Sequence, residues 1–161
     1  MNNLMRSLTA CFILILIFTA CKKQKNDSCA PVPPSSEVAS IAAFCTANGI
    51  NATADSNGIY YQVINPGTGA KPNMNSTITA TYSTALLNGQ VIDTMYFVNP
   101  VSQPLNRFIE GLQIAIPYIQ KGGHIKIVLP SALAYGCIGV EDIVPANAPL
   151  YYDLFLMDVS N

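Results

Sequence analysis

Residues 124–159 read HIKIVLPSALAYGCIGVEDIVPANAPLYYDLFLMDV, two apolar runs joined by a loop of glycine, proline and bulky side chains. In the first run Ile125, Ile127 and Leu129 alternate with His124, Lys126 and Val128, the two-residue period of a half-buried strand. In the second, Leu150, Tyr152, Leu154 and Leu156 fall on one side, and Tyr151, Asp153, Phe155 and Met157 on the other. The loop between them carries Tyr135, Ile143, Val144 and Pro145 beside Gly136 and Gly139. Glycine and proline set the backbone shape there, so the loop presents apolar groups in the manner of a pocket wall.

Working outward, Ile59 to Ile64 is strand-like and is closed by Asn65-Pro66-Gly67-Thr68-Gly69. Thr77 to Leu86 is β-branched and alternating, and Leu87-Asn88-Gly89-Gln90 is the strongest hairpin signal in the chain, with Val91-Ile92-Asp93 running on beyond it. From Phe108 to Ile119 the apolar positions Phe108, Ile109, Leu112, Ala115, Ile116 and Ile119 have helical spacing; Pro117 marks the last turn and Gly122-Gly123 ends the helix. These elements predict an α+β domain over residues 58–161: a mostly antiparallel sheet packed on one short α-helix.

Ahead of it, Met1 to Ala20 reads as an export signal, with Arg6 before the apolar run Phe12 to Phe18. The run is too short to span a bilayer. Phe18-Thr19-Ala20-Cys21 resembles a bacterial lipobox, with Phe18 where Leu is usual, and implies a lipidated Cys21 that anchors the chain to a membrane. Leu8-Thr9-Ala10-Cys11 matches the short pattern but precedes the apolar run, and a plain secretory signal is the other reading. Either places the domain outside the cytoplasm, in the periplasm or at the cell surface. Residues 21–36, with Pro31, Pro33 and Pro34, read as a flexible tether. In residues 37–57 a short helix from Glu37 to Ala47 is expected, capped by Ser35 or Ser36, with the stripe Val38, Ile41, Ala42 and Cys45.

With 11% charged residues and a net charge of −1, the chain has no basic field for nucleic acid. No heptad suggests a partner helix, so a monomer is expected. Once Cys21 is assigned to lipid, Cys29 and Cys45 are the close pair, and an oxidising compartment permits a disulfide contributing about 3 kcal/mol. Two unpaired thiols are the alternative. Cys137 has no obvious partner and reads as a small buried residue. No cysteine spacing fits zinc, and His124, on the Lys126 side of its strand, reads as an exposed residue rather than a catalytic base. No metal or cofactor is expected.

Taken in order, these segments resemble the FKBP family of peptidyl-prolyl cis-trans isomerases. The resemblance runs from about Gly58 to Val159 through Ile59-Tyr60-Tyr61, Gly67-Thr68-Gly69, Thr81-Tyr82, Leu87 to Asp93, Phe108-Ile109-Glu110-Gly111-Leu112, Leu133-Ala134-Tyr135-Gly136 and Ile143 to Asn147. Each piece alone is common; the ordered set is specific. It implies a curved antiparallel sheet packed on one short α-helix and an apolar pocket between them, with Tyr82, Asp93 and Tyr135 as the polar groups that act on the substrate. Ile92, Phe108, Ile109, Leu112, Ile143, Val144 and Tyr152 would bind it. Ile92 stands where the family usually has Phe, Leu112 where it usually has Trp, and Tyr152 where it usually has Phe. Val101 and Gln103 fall near the variable rim.

The chemistry suits such residues. Rotating a peptide bond costs roughly 18–20 kcal/mol because amide resonance is lost. A dry pocket can favour the twisted amide, and aimed donors can hold it, with no nucleophile or metal. Tyr135 would donate to the carbonyl before proline. The implied partners are Xaa-Pro segments of exported or unfolded proteins and a rapamycin-like macrolide. The alternative function is a catalytically weak or inactive FKBP-fold binding module tethered to the membrane.

Overall fold

In the computed structural model, which describes residues 29–95 and 99–161, the two runs that frame the pocket loop pair with each other. Strand β6 (Gly123–Leu129) and strand β7 (Leu150–Ser160) are antiparallel, with Ile125 opposite Leu154, Ile127 opposite Tyr152 and Leu129 opposite Leu150. The alternation in the sequence therefore becomes one continuous apolar face, on which Tyr152 at 3% is the most exposed of these six. The export signal of residues 1–20 and lipidation at Cys21 concern residues outside those described. Among the described residues no helix is long and apolar enough to cross a membrane.

β7 pairs on its other side with the whole of β3 (Thr77–Leu86). The far edge of β3 is shared: its first half meets β5 (Val101–Pro104) and its second half meets β4 (Val91–Met95), across the Leu87–Gln90 turn. β2 (Tyr60–Asn65) lies outside β6, and the two-residue β1 (Thr53–Ala54) outside β2, giving the order β1-β2-β6-β7-β3-β4. Register shifts at Thr79/Ala80 and Thr84/Ala85 bend β3, as bulges do, and the sheet curves around its apolar face.

A short helix, α2 (Glu110–Ala115), fills that curve, burying Gly111, Leu112 and Ala115. It is shorter than the Phe108–Ile119 spacing predicts. Phe108 and Ile109 are extended, and Ile116–Tyr118 tightens into a 3-10 turn with Pro117 inside it. Proline has no N–H to donate to the carbonyl four residues back, so the α-helical ladder ends there.

The opposite face of the sheet is covered by the helix expected from Glu37 to Ala47. Helix α1 (Val38–Ala47) sets Ile41 and Cys45 against Ile50 and Val128, with Phe44, Tyr60 and Tyr151 packed around them. Val38, expected in the buried stripe, is 42% exposed. Neither Ser35 nor Ser36 caps the helix. The Ser36 hydroxyl donates to the Pro33 carbonyl, and the capping position is Glu37, whose buried carboxylate accepts the Ser131 N–H at 2.8 Å.

The disulfide differs from the expected one. Cys29 bonds Cys137, with Cα atoms 5.3 Å apart, while Cys45 is free and buried. The helical turn of α1 carries Cys45 inward against the sheet, away from the chain before Pro34. That chain instead runs beside the pocket loop, where the Asn147 side-chain amide donates to the Ala30 carbonyl at 3.4 Å. His124 also departs from the exposed reading. Its Nε2 lies 2.5 Å from Asp153 Oδ1, and its ring stacks on Phe155 with centroids 3.7 Å apart.

Candidate active site

Three strands and the pocket loop bring their side chains to one cavity of about 290 Å³. Tyr82 and Thr84 come from β3, Ile92 and Asp93 from β4, and Tyr152 from β7. The pocket loop adds Tyr135, Val140, Ile143 and Val144. Tyr82 and Thr84 are two residues apart on one strand and so share its inner face. The tight Asn88-Gly89 turn folds β4 back so that Asp93 pairs with Thr84 and Ser83 with Thr94. Across the other edge Thr84 is opposite Tyr152. The sheet register thus converts three separate sequence positions into one patch.

On that patch the Tyr82 hydroxyl donates to Asp93 Oδ2 at 3.0 Å. The Tyr82 ring meets the Tyr152 ring edge-on, with centroids 5.7 Å apart, a geometry aromatic pairs favour. Burial pushes the Tyr82 hydroxyl pKa well up, and the hydrogen bond to Asp93 and that group's charge push it further. Burial likewise raises Tyr152, with Tyr135 adding to the effect and the Thr84 hydroxyl opposing it. Both phenols stay neutral donors at any ordinary pH.

The loop is held by its own backbone. Val140 and Val144 exchange two N–H···O bonds of 2.8 Å, the Ile143 N–H donates to the Val140 carbonyl, and the Gly139 N–H donates to the Tyr135 carbonyl. Such tightness requires left-handed backbone at Gly139, with φ of 66°, and at Asp142, with φ of 59°. Val144 is buried, Ile143 is 51% exposed and Tyr135 is 39% exposed, so the loop walls the cavity with apolar groups and leaves the Tyr135 side chain at the mouth.

Seven of the residues singled out in the sequence therefore meet here: Tyr82, Ile92, Asp93, Tyr135, Ile143, Val144 and Tyr152. Phe108, Ile109 and Leu112 do not line the cavity. Phe108 and Leu112 are buried in the main core, and Ile109, which precedes α2, packs against that core half-buried. Leu112 has a branched side chain shorter than the Trp usual at its place, and it ends among core residues. Val101 and Gln103 belong to β5, paired with Ala80 and Ile78. Thr84 and Val140 were missed. Thr84 was legible from its alternation with Tyr82; Val140 was not, because its place depends on the Val140–Val144 bridge.

The lining is mostly apolar, with tyrosine hydroxyls, the Thr84 hydroxyl and one carboxylate as its polar groups. Among the described residues no three His, Cys, Asp or Glu side chains converge as a metal site. A site of this kind binds a small apolar unit, orients it through hydroxyls and keeps water away from it.

Comparison with known proteins gives a consistent answer. Residues 68–157 match the family model described as FKBP-type peptidyl-prolyl cis-trans isomerase. The chain is 39% identical over 105 residues to the FKBP-type peptidyl-prolyl cis-trans isomerase FkpA of Escherichia coli K12, covering 65% of this chain and 38% of that protein. It is 34% identical over 122 residues to the peptidyl-prolyl cis-trans isomerase Mip of Coxiella burnetii, covering 73% of this chain and 52% of that protein. The chain thus spans about two-fifths to half of these curated relatives. Among solved structures, Escherichia coli FkpA superposes with a TM-score of 0.70 at 32% identity, covering 80% of this chain and 61% of that one. A peptidyl-prolyl cis-trans isomerase of Pseudomonas syringae superposes with a TM-score of 0.67 at 25% identity, covering 82% of this chain and 99% of that one.

Proposed function

The chain belongs to the FKBP-type peptidyl-prolyl cis-trans isomerase family, and from that premise we propose that it accelerates isomerisation of Xaa-Pro bonds in exported proteins. The observation that carries this reading is the cavity itself. An apolar loop wall faces the Tyr82–Asp93 pair across about 290 Å³, room for a proline ring and the residue before it.

Exchange about an X-Pro bond takes tens to hundreds of seconds unaided. In this site the proline ring sits on Tyr152 between Val144 and Ile92, and the low-dielectric surroundings favour the twisted amide, which has less charge separation than the planar one. The Tyr135 hydroxyl, at the mouth, donates to the carbonyl before proline. Asp93 holds Tyr82 in a fixed orientation. No bond is made or broken, so catalysis rests on binding the transition state better than either ground state. Clients are exported or unfolded chains, consistent with the export signal of residues 1–20, and Cys21 carries the lipid that tethers the domain to a membrane. A rapamycin-like macrolide competes for the same cavity, and the domain acts as a monomer.

One observation favours a second reading, a binding module with little catalysis. Ile92 is aliphatic and Leu112 lies in the core, so tyrosine is the one aromatic type lining the cavity. The deciding experiment measures cis-trans exchange of Leu-Pro and Ala-Pro peptides by NMR, with and without rapamycin. Faster exchange, abolished by the drug, is expected. Binding without faster exchange would establish the binding module instead.

A further inference from the structure

A second cavity, of about 320 Å³, shares part of its lining with the first. Val140, Ile143 and Val144 line both cavities, so the pocket loop is a shared partition. The far wall of the second cavity is the β3–β4 hairpin, through Leu86 and Gln90. Its one charged lining residue is Asp142. The two ion pairs among the described residues are Lys121–Asp158 and His124–Asp153, so no cation of the described residues pairs with the Asp142 carboxylate. Glu141 beside it and Asp93 at the first cavity add negative charge, and neither cavity is lined by Lys, Arg or His.

The second cavity is thus two-sided in character. Leu86 and the Val140–Val144 partition offer apolar surface, while Asp142 and the Gln90 side-chain amide are exposed at its edge. A side chain that suits such a slot has an aliphatic stem and a cationic end, so that the stem packs and the head stays near both carboxylate and water. We propose that this cavity is a second subsite of the Xaa-Pro site, and that it takes a Lys or Arg side chain of the same client polypeptide, a few residues from the proline. The inference rests on the isomerase reading of the first cavity. Continuity through the shared partition fixes the occupant as the client chain, and the unpaired Asp142 fixes its charge.

The backbone at Asp142 makes the test clean. Its φ of 59° is a conformation that Asn also tolerates, so Asp142→Asn removes the charge without straining the loop. NMR exchange would be measured on the full chain with Ala-based Leu-Pro peptides, Lys being placed in turn at each of three positions on either side of the Leu-Pro unit, and Glu in parallel. At one or two adjacent placements Lys is expected to raise the exchange efficiency about two- to fivefold over Ala, the scale of a partly exposed ion pair, and Glu to lower it. In Asp142→Asn, and in the parent at about 1 M salt, that preference disappears while the Ala peptide exchanges as before. A Lys preference that survives Asp142→Asn, or none at any placement, overturns the subsite and leaves the isomerase reading intact. If the Ala peptide itself shows neither binding nor faster exchange, the isomerase reading fails first and the subsite falls with it.

Discussion

Tyr135 and Tyr82 carry the same functional group but stand in different surroundings. The Tyr82 hydroxyl is committed to Asp93, whereas Tyr135 stands partly exposed at the rim. Under the proposed function Tyr135 is therefore the hydroxyl that would meet a substrate. Tyr135→Phe keeps the ring and removes the donor, and exchange efficiency on Leu-Pro peptides should fall several-fold, the value of a net hydrogen bond of about 1 kcal/mol. Unchanged efficiency would remove Tyr135 from the mechanism. The buried phenols make a separate prediction about pH. Tyr82 and Tyr152 hold their protons more tightly folded than unfolded. Their contribution to stability is complete below the unfolded tyrosine pKa of about 10 and is lost as pH rises beyond it. The urea midpoint should therefore be lower at pH 11 than at pH 9, and an equal midpoint would mean that these hydroxyls ionise as freely as in the unfolded chain.

Among the elements, α2 is the one most tightly constrained by a single atom it lacks. A Cβ at Gly111 would lie 2.5 Å from Leu129 Cδ2 and 3.0 Å from Leu129 Cγ, and Leu129 is fully buried in β6. Gly111 lets the helix sit directly on the strand that leads into the pocket loop. Alanine there gains about 1 kcal/mol of helix propensity but overpacks the core at a cost of about 1–3 kcal/mol. Because Leu129 is fully buried, Gly111→Ala should lower the thermal midpoint, and a variant as stable as the parent would show that α2 or Leu129 can shift. At its C-terminal end α2 is short because Pro117 ends the ladder that the apolar spacing alone would have continued.

Over the whole molecule, the chain before α1 is a strap on the pocket loop. The Cys29–Cys137 bond, the Asn147 to Ala30 hydrogen bond and the Glu37 carboxylate on Ser131 all join residues 29–37 to residues 131–147. The disulfide joins residues 108 apart in sequence, and closing so long a loop in the unfolded chain is worth about 4–5 kcal/mol in the chain-entropy model. Reduction should therefore lower the urea midpoint substantially. Cys29→Ser and Cys137→Ser should each abolish that redox dependence, and Cys45→Ser should preserve it. Redox dependence lost in Cys45→Ser but kept in Cys137→Ser would assign the bond to Cys29 and Cys45 instead.

Much of this was legible in the residues alone, wherever the information was local. Period-two alternation in β6 and β7 sets which side chains face inward, because successive strand residues must point to opposite faces. The Asn88-Gly89 turn places β4 against β3, because few turns other than those tolerating left-handed backbone suit a tight hairpin. The fold class follows from these, whereas the Tyr82, Asp93 and Tyr135 grouping was implied by the resemblance to the FKBP family. Contacts between distant segments were decided only by the tertiary structure. The partner of Cys29, the burial of Leu112 outside the cavity, the stacking of His124 on Phe155 and the packing of α1 on the outer face each depend on how separately folded pieces come to lie together. Sequence spacing fixes distance along the chain, and a disulfide or a buried contact requires distance in space.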